Sequence, residues 1–214
     1  MMENNIFRNI AIWLIIALTI VIVVLILVGL SSGHIQVSGD LVVPVNSSDH
    51  IVGTSTPKLT IVEYGDYQCP ACAAFDPVVR KVMEEYSDKV QLVSRNFPLI
   101  QHRNATSSAK IVEAAGRQGK FFEMREKIYT GQLDWANSDK PVEIFTRYAV
   151  ELGLNVDKLL TDKELPEITN KIETDLQGGK DSSVNSTPSF FLNGKKVAMP
   201  LNYEEFKKIV ENNL

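Results

Sequence analysis

Apolar positions along this chain recur in three rhythms, and each marks a different kind of element. The first is unbroken. Ile10 to Leu30 reads IAIWLIIALTIVIVVLILVGL, 21 uncharged positions, the length a helix needs to cross roughly 30 Å of hydrocarbon. A transmembrane signal-anchor helix is expected over residues 10–30, because the run is too long, and LVGLSSG too poor a cleavage site, for a removed signal peptide. Arg8 precedes the run and no Lys or Arg follows until Lys58. Residues 1–9 are therefore expected in the cytoplasm and the bulk outside it, in a single-pass protein of the cell membrane that touches the bilayer through residues 10–30.

The second rhythm is short and rich in β-branched and aromatic residues. KLTIVEYG (58–65) and KVQLVSRNF (89–97) read as strands. The third has helical spacing. Cys72, Phe75, Val79, Val82, Met83 and Tyr86 form one stripe, so a helix of about five turns separates the two strands. Strand, helix, strand predicts a βαβ unit with a parallel pair and a right-handed crossover. From about 101 to 179 the helical period dominates, with stripes at Ser108, Ile111, Val112 and Ala115, at Phe121, Met124 and Ile128, and at Phe145, Tyr148, Ala149 and Leu152. Asn155 is placed to cap VDKLLTD, and a last helix is expected to stop before Gly178-Gly179. SFFLNGKKVAM then gives two apolar runs joined by Asn193-Gly194, a strong hairpin signal, and Tyr203, Phe206 and Val210 give a closing helix. The fold class is α/β, a βαβ half and a ββα half with a helical subdomain inserted between them. Residues 31–57, with scattered Ser, Gly, Pro and Asn, read as a spacer, and 58–214 as one domain.

Composition narrows the function. A formal charge of −4 without basic runs argues against nucleic acid as a partner. The chain has two cysteines, and both lie in one C-x-x-C, EYGDYQCPACAAF. A zinc site would need two further ligands, but there is no third cysteine and His34, His50 and His102 are scattered. No metal and no cofactor are expected. As a structural bridge the pair would close almost no loop and stabilise little. A redox dithiol remains. Cys69 falls where the helix begins, where free N–H groups and the helix dipole favour a thiolate. Pro70 suits the first turn. Cys69 is the expected nucleophile, and Cys72, one turn in on the apolar stripe, the resolving thiol. Glu63, on a strand that otherwise reads as buried, must be paired, solvated or protonated, and could relay a proton to or from Cys72.

LTIVEYGDYQCPACAAF, GRQGKFFEMREKIY and NSTPSFFLNGKKV, together with the helical insert, resemble a DsbA-like member of the thioredoxin superfamily over roughly His50 to Leu214. The resemblance implies a cis bond before Pro188 packed against the cysteines, with Thr187 presenting its backbone to an extended substrate and Pro70 and Ala71 contacting that substrate. It implies a buried acid at Glu63, reduced or misfolded extracytoplasmic proteins as substrates, and a membrane quinone-linked thiol oxidase or another electron partner. The expected activity is protein thiol–disulfide oxidation outside the cytoplasm. One departure bears on this: strongly oxidising members carry a histidine between the cysteines, where this chain has Pro70-Ala71. A Cys69 pKa nearer neutral and a milder oxidant are expected, which leaves reductase or isomerase activity open. A tethered chaperone or binding module on the same scaffold is the rival of another class.

Overall fold

The structure, a computed structural model, describes residues 12–24 and 39–214. Residues 12–24 form helix α1, with exposed apolar side chains. Among the described residues no helix is long and apolar enough to cross a membrane. The transmembrane helix expected over 10–30 is thus not found among them; of that span only residues 12–24 are described, and the remaining positions lie outside the described residues, as do residues 1–9.

In the larger unit five strands form one sheet in the order β1-β3-β2-β4-β5. These are β1 (His50–Gly53), β2 (Leu59–Gly65), β3 (Val90–Asn96), β4 (Ser189–Leu192) and β5 (Lys195–Lys196). β2 and β3 are parallel across α2 (Pro70–Glu85), the βαβ unit that the change of period predicts, and the other pairs are antiparallel. Asn193 and Gly194 both have positive φ, 46° and 82°, the conformation a two-residue hairpin needs. The side-chain alternation of β2 sends Leu59, Ile61 and Glu63 to one face and Val62 and Tyr64 to the other. The first face packs on α2 and α9 (Tyr203–Glu211) through Phe75, Val79, Val82, Phe206 and Val210.

Between the halves lie α3 (Ala105–Gly116), α4 (Phe121–Thr130), α5 (Gln132–Trp135), α6 (Pro141–Glu151), α7 (Val156–Asp162) and α8 (Pro166–Asp181). Their stripes build a second core around Trp135, Phe145, Met124 and Ile128, and this core extends to Tyr67, Cys69 and Cys72. Asn155 caps α7 by accepting the Lys158 N–H at 2.8 Å. α8 does not stop before Gly178-Gly179 but runs through both. The two glycines allow close approach instead: a Cβ on Gly179 would lie 2.6 Å from the Phe97 ring, and one on Gly178 3.0 Å from Val43.

The expected spacer is corrected from residue 39 onward. Asp40 bridges to Lys195, Leu41 and Val45 pack against Val62, Tyr64 and Phe191, and His50–Gly53 is the edge strand β1 on β3. The cause is Arg95, which β3 aims at this face. Its guanidinium bonds Asp49 at 2.8 and 2.9 Å and the carbonyls of Val43 and Pro44 at 2.8 and 3.0 Å. With its side chain 2% exposed, Arg95 needs those partners.

Candidate redox site

Cys69 is the residue that caps α2. Its backbone is extended, with φ −70° and ψ 121°, and Pro70 opens the first turn. The Cys69 N–H donates to the Asp66 carbonyl at 3.1 Å, and its own carbonyl accepts from Ala73 N–H at 3.2 Å. Both cysteines are free and buried, Cys72 more deeply than Cys69. Across from them the Thr187–Pro188 bond is cis, and the Cys69 thiol donates to the Thr187 carbonyl at 3.4 Å. The Thr187 side chain is buried beside it. Pro70 and Ala71 are exposed at the mouth. Beside Pro188 opens a cavity of about 210 Å³ lined by Asn185, Ser186, Ser189 and Met199 among others.

The electrostatics divide the two sulfurs. A hydrogen bond from the Cys72 thiol does most to lower the Cys69 pKa, from an ordinary 9.0 to about 5; burial opposes it, and the Thr187 side chain and the backbone N–H groups of Cys72 and Ala71 add to it. Burial pushes Cys72 well above its ordinary value, and the neighbouring Cys69 adds to that. This corrects the near-neutral Cys69 expected from the missing histidine. The thiolate draws its stabilisation from the partner thiol, Thr187 and the helix terminus, and none of these depends on the residue at position 71.

Glu63 lies on the α2 face of β2, 2% exposed, and is ion-paired with Arg125 of α4 at 2.8 Å. The same guanidinium meets Asp76 of α2 at 2.6 Å, an ionic contact whose angle is poor for a hydrogen bond. Desolvation outweighs Arg125 and raises the Glu63 pKa above its ordinary 4.5. Tyr129 completes the wall, its ring 5.1 Å from the Arg125 guanidinium, and its hydroxyl occupies the space that a side chain on Gly65 would take. Sequence reasoning missed Arg125 and Asp76. A signal existed, since Arg125 stands at i+4 from Phe121 and i−3 from Ile128, inside the apolar stripe of α4.

Also missed is the polar frame that holds the turn before Cys69. The Gln132 amide donates to the carbonyls of Tyr67 and Cys69 at 2.8 and 3.0 Å. Gln68 donates to Ala136 O at 2.7 Å and accepts the Asn104 N–H at 2.6 Å. Asp66 accepts from Gln68 N–H, Leu99 N–H and the His102 ring, at 2.7, 2.8 and 2.7 Å. No group of residues with metal-ligand geometry occurs among the described residues.

This geometry can be set beside known proteins. The chain is similar to the Na(+)/H(+) antiporter NhaA 1 of Mycobacterium sp. (strain KMS), 36% identical over 160 residues that cover 73% of this chain and 25% of that protein. The chain thus spans about a quarter of the length of the curated relatives it matches. Among solved structures it resembles a thioredoxin-like oxidoreductase from Silicibacter pomeroyi DSS-3, with a TM-score of 0.67, 25% identity and coverage of 78% of this chain and 92% of that one. It also resembles alpha-DsbA1 of Wolbachia pipientis, with a TM-score of 0.70 at 20% identity, covering 80% of this chain and 93% of that one. The fold is therefore α/β and thioredoxin-like, with DsbA-type structural neighbours. Residues 45–212, well over half of the chain, match the family model described as thioredoxin, and the chain belongs to the thioredoxin family.

Proposed function

We propose that this protein is a thiol–disulfide oxidoreductase that introduces disulfides into proteins folding outside the cytoplasm. The observation that carries the proposal is the asymmetry of the dithiol: Cys69 at the helix start with a pKa of about 5, and Cys72 behind it with a raised one. In the oxidising direction a substrate thiolate attacks Cys69 Sγ of the Cys69–Cys72 disulfide. The protein disulfide breaks, and Cys72 leaves as a thiolate that takes up a proton, with Glu63 as the relay. A second substrate thiolate attacks the substrate sulfur of the mixed disulfide, and Cys69 leaves as a stable thiolate. The substrate loses two electrons and the dithiol gains two, to be passed to an electron partner such as a quinone-linked thiol oxidase. Thr187, Pro188, Pro70 and Ala71 border the substrate's path.

A lower nucleophile pKa makes a disulfide more oxidising, which favours the oxidase over the reductase or isomerase reading. The uncharged run 10–30 supports tethering to the cell membrane with the catalytic unit outside. Sodium–proton exchange is said of relatives about three times the chain's length, and only 46 residues of this chain lie outside the thioredoxin match, so most of the similarity to them falls within it. Equilibration with glutathione buffers tests the direction. A potential well above roughly −180 mV supports an oxidase, and one near thioredoxin's roughly −270 mV overturns it. Cys72→Ser is expected to trap mixed disulfides that Cys69→Ser cannot form. If both cysteines can be replaced without loss of function, the binding-module reading takes over.

A further inference from the structure

The strongest feature that this chemistry leaves unused is the buried contact between Asp66 and His102. Asp66 sits three residues before Cys69, its side chain wholly buried, and it touches the site in two ways. Its backbone carbonyl accepts the Cys69 N–H at 3.1 Å. Its carboxylate accepts three hydrogen bonds that join two separate loops, from Gln68 in the active-site turn and from Leu99 and His102 in the β3–α3 loop. The Gln68 side chain adds a third cross-link through Asn104 N–H. A carboxylate bonded this way only accepts, so His102 Nδ1 carries the proton in the pair. His102 is itself seated in the loop, its N–H on the Leu99 carbonyl and its carbonyl on the Ala105 N–H.

We infer that Asp66 and His102 are positioning residues that set the reactivity of Cys69 by pinning the turn ahead of α2 to the β3–α3 loop. This rests on the thiol–disulfide reading of the site and deepens it. The donors that stabilise a Cys69 thiolate are the N–H groups of the first turn, the Cys72 thiol and Thr187. They act only while the Cys69 sulfur stays over the helix end and against the 187–188 loop, a placement fixed by the turn at residues 66–69. Hydrogen bonds to the charged form fall off steeply with distance and angle. Loss of the His102 donor leaves a buried carboxylate with one bond fewer, and the turn relaxes to let water reach it. Position 71 then needs no histidine, because control comes from outside the dipeptide.

The test uses the full chain with the reduced dithiol. His102→Phe and His102→Leu both remove the donor while filling its space, so that failure of one to fold does not end the experiment. His102→Asn keeps an N–H near the Nδ1 position. The readouts are the pH midpoint of Cys69 alkylation by iodoacetamide and the dithiol potential against glutathione. The expected result is a midpoint raised by about one pH unit in the Phe and Leu variants, a tenfold loss of thiolate well below the midpoint, with a less oxidising potential. His102→Asn is expected to restore both. A merely structural role would lower the melting temperature and leave midpoint and potential unmoved, and that outcome overturns the inference; so does a shift that His102→Asn fails to rescue. Mixed-disulfide trapping by Cys72→Ser in the otherwise wild-type chain is scored separately, so that a site that does not exchange disulfides is told apart from a dyad that does not position it.

Discussion

Replacing Arg125 with Met tests whether the charges behind the cysteines form one balanced unit. Wild type buries the Glu63 and Asp76 carboxylates against the Arg125 guanidinium, at 2.8 and 2.6 Å, with side-chain exposures of 2–3%; Asp76 has a second cation in Arg80 at 2.9 Å, whereas Glu63 depends on Arg125. Met fills much of the volume but leaves Glu63 without its cation while Asp76 keeps Arg80, and removing one partner of a buried pair costs about 3–5 kcal/mol. Protonation sets how that loss depends on pH. Glu63 already has a raised pKa, and without Arg125 it folds in the protonated form. Each proton taken up on folding lowers stability by about 1.4 kcal/mol per pH unit above the ordinary 4.5. Wild type loses part of the same stability through its own raised Glu63, so a gap that is small at pH 4.5 opens by up to about 3 kcal/mol by pH 7. The sign follows from linkage: an acid with a raised folded pKa contributes most stability below its unfolded pKa and loses it as pH rises through the folded one. Urea unfolding of both proteins at the two pH values measures the gap, and adding Glu63→Gln to the variant is expected to recover at least half of it. A gap that does not change with pH, or one below about 1 kcal/mol at pH 7, refutes the reasoning. Water would then be solvating Glu63 through the cavity of about 520 Å³ between α2, α4 and β1, which Arg125 lines.

Two further predictions concern the thiolate and the N-terminal segment. The reduced protein is stabilised by the depressed Cys69 pKa, an effect complete above the ordinary 9.0 and lost as pH falls through about 5. At pH 7 the two units above the midpoint are worth about 2.7 kcal/mol, which solvent screening at the helix mouth reduces to about 1–1.5 kcal/mol. Unfolding of the reduced wild type against Cys69→Ala from pH 7 to 4 is expected to show that advantage vanish, and a constant difference would count against it. A chain beginning at Lys58 would leave Arg95 without Asp49 and uncover Val62, Tyr64 and Phe191. It is expected to unfold at much lower urea than the full chain and to bind an apolar dye; equal midpoints would show that residues 39–57 are a spacer after all.

What was legible in the sequence is what periodicity and turn chemistry carry locally. The alternation of β2 and β3, the stripe of α2 and the Asn193-Gly194 turn each rest on neighbours a few residues apart. β1 was hidden because an edge strand of four residues, HIVG, is largely exposed and shows no alternation. What gives it a place is Arg95, 42 or more positions further along the chain. The Asp66–His102 and Gln132 contacts were illegible for the same reason: single polar residues look solvated until the fold supplies their partners. Glu63 could be seen to need a partner, but not which one. The Cys69 pKa was misjudged because the sequence displays the residue between the cysteines and conceals the orientation of Cys72, Thr187 and the backbone N–H groups.

The segment 39–53 has a mechanical consequence. It starts on β5, where Leu41 N–H bonds Gly194 O and Lys196 N–H bonds Gly39 O, crosses one face of the sheet, and ends on β3 at the opposite edge. Tension entering from the N-terminal side of residue 39 meets those two bonds first, and they can let go one after the other. The Val42 N–H on Ser182 Oγ at 2.9 Å comes next, and then the Arg95 clamp on Val43, Pro44 and Asp49, whose contacts must all stretch together. The strap therefore works as a strain relief, yielding at its outer end while the dithiol and the sheet beneath it keep their alignment.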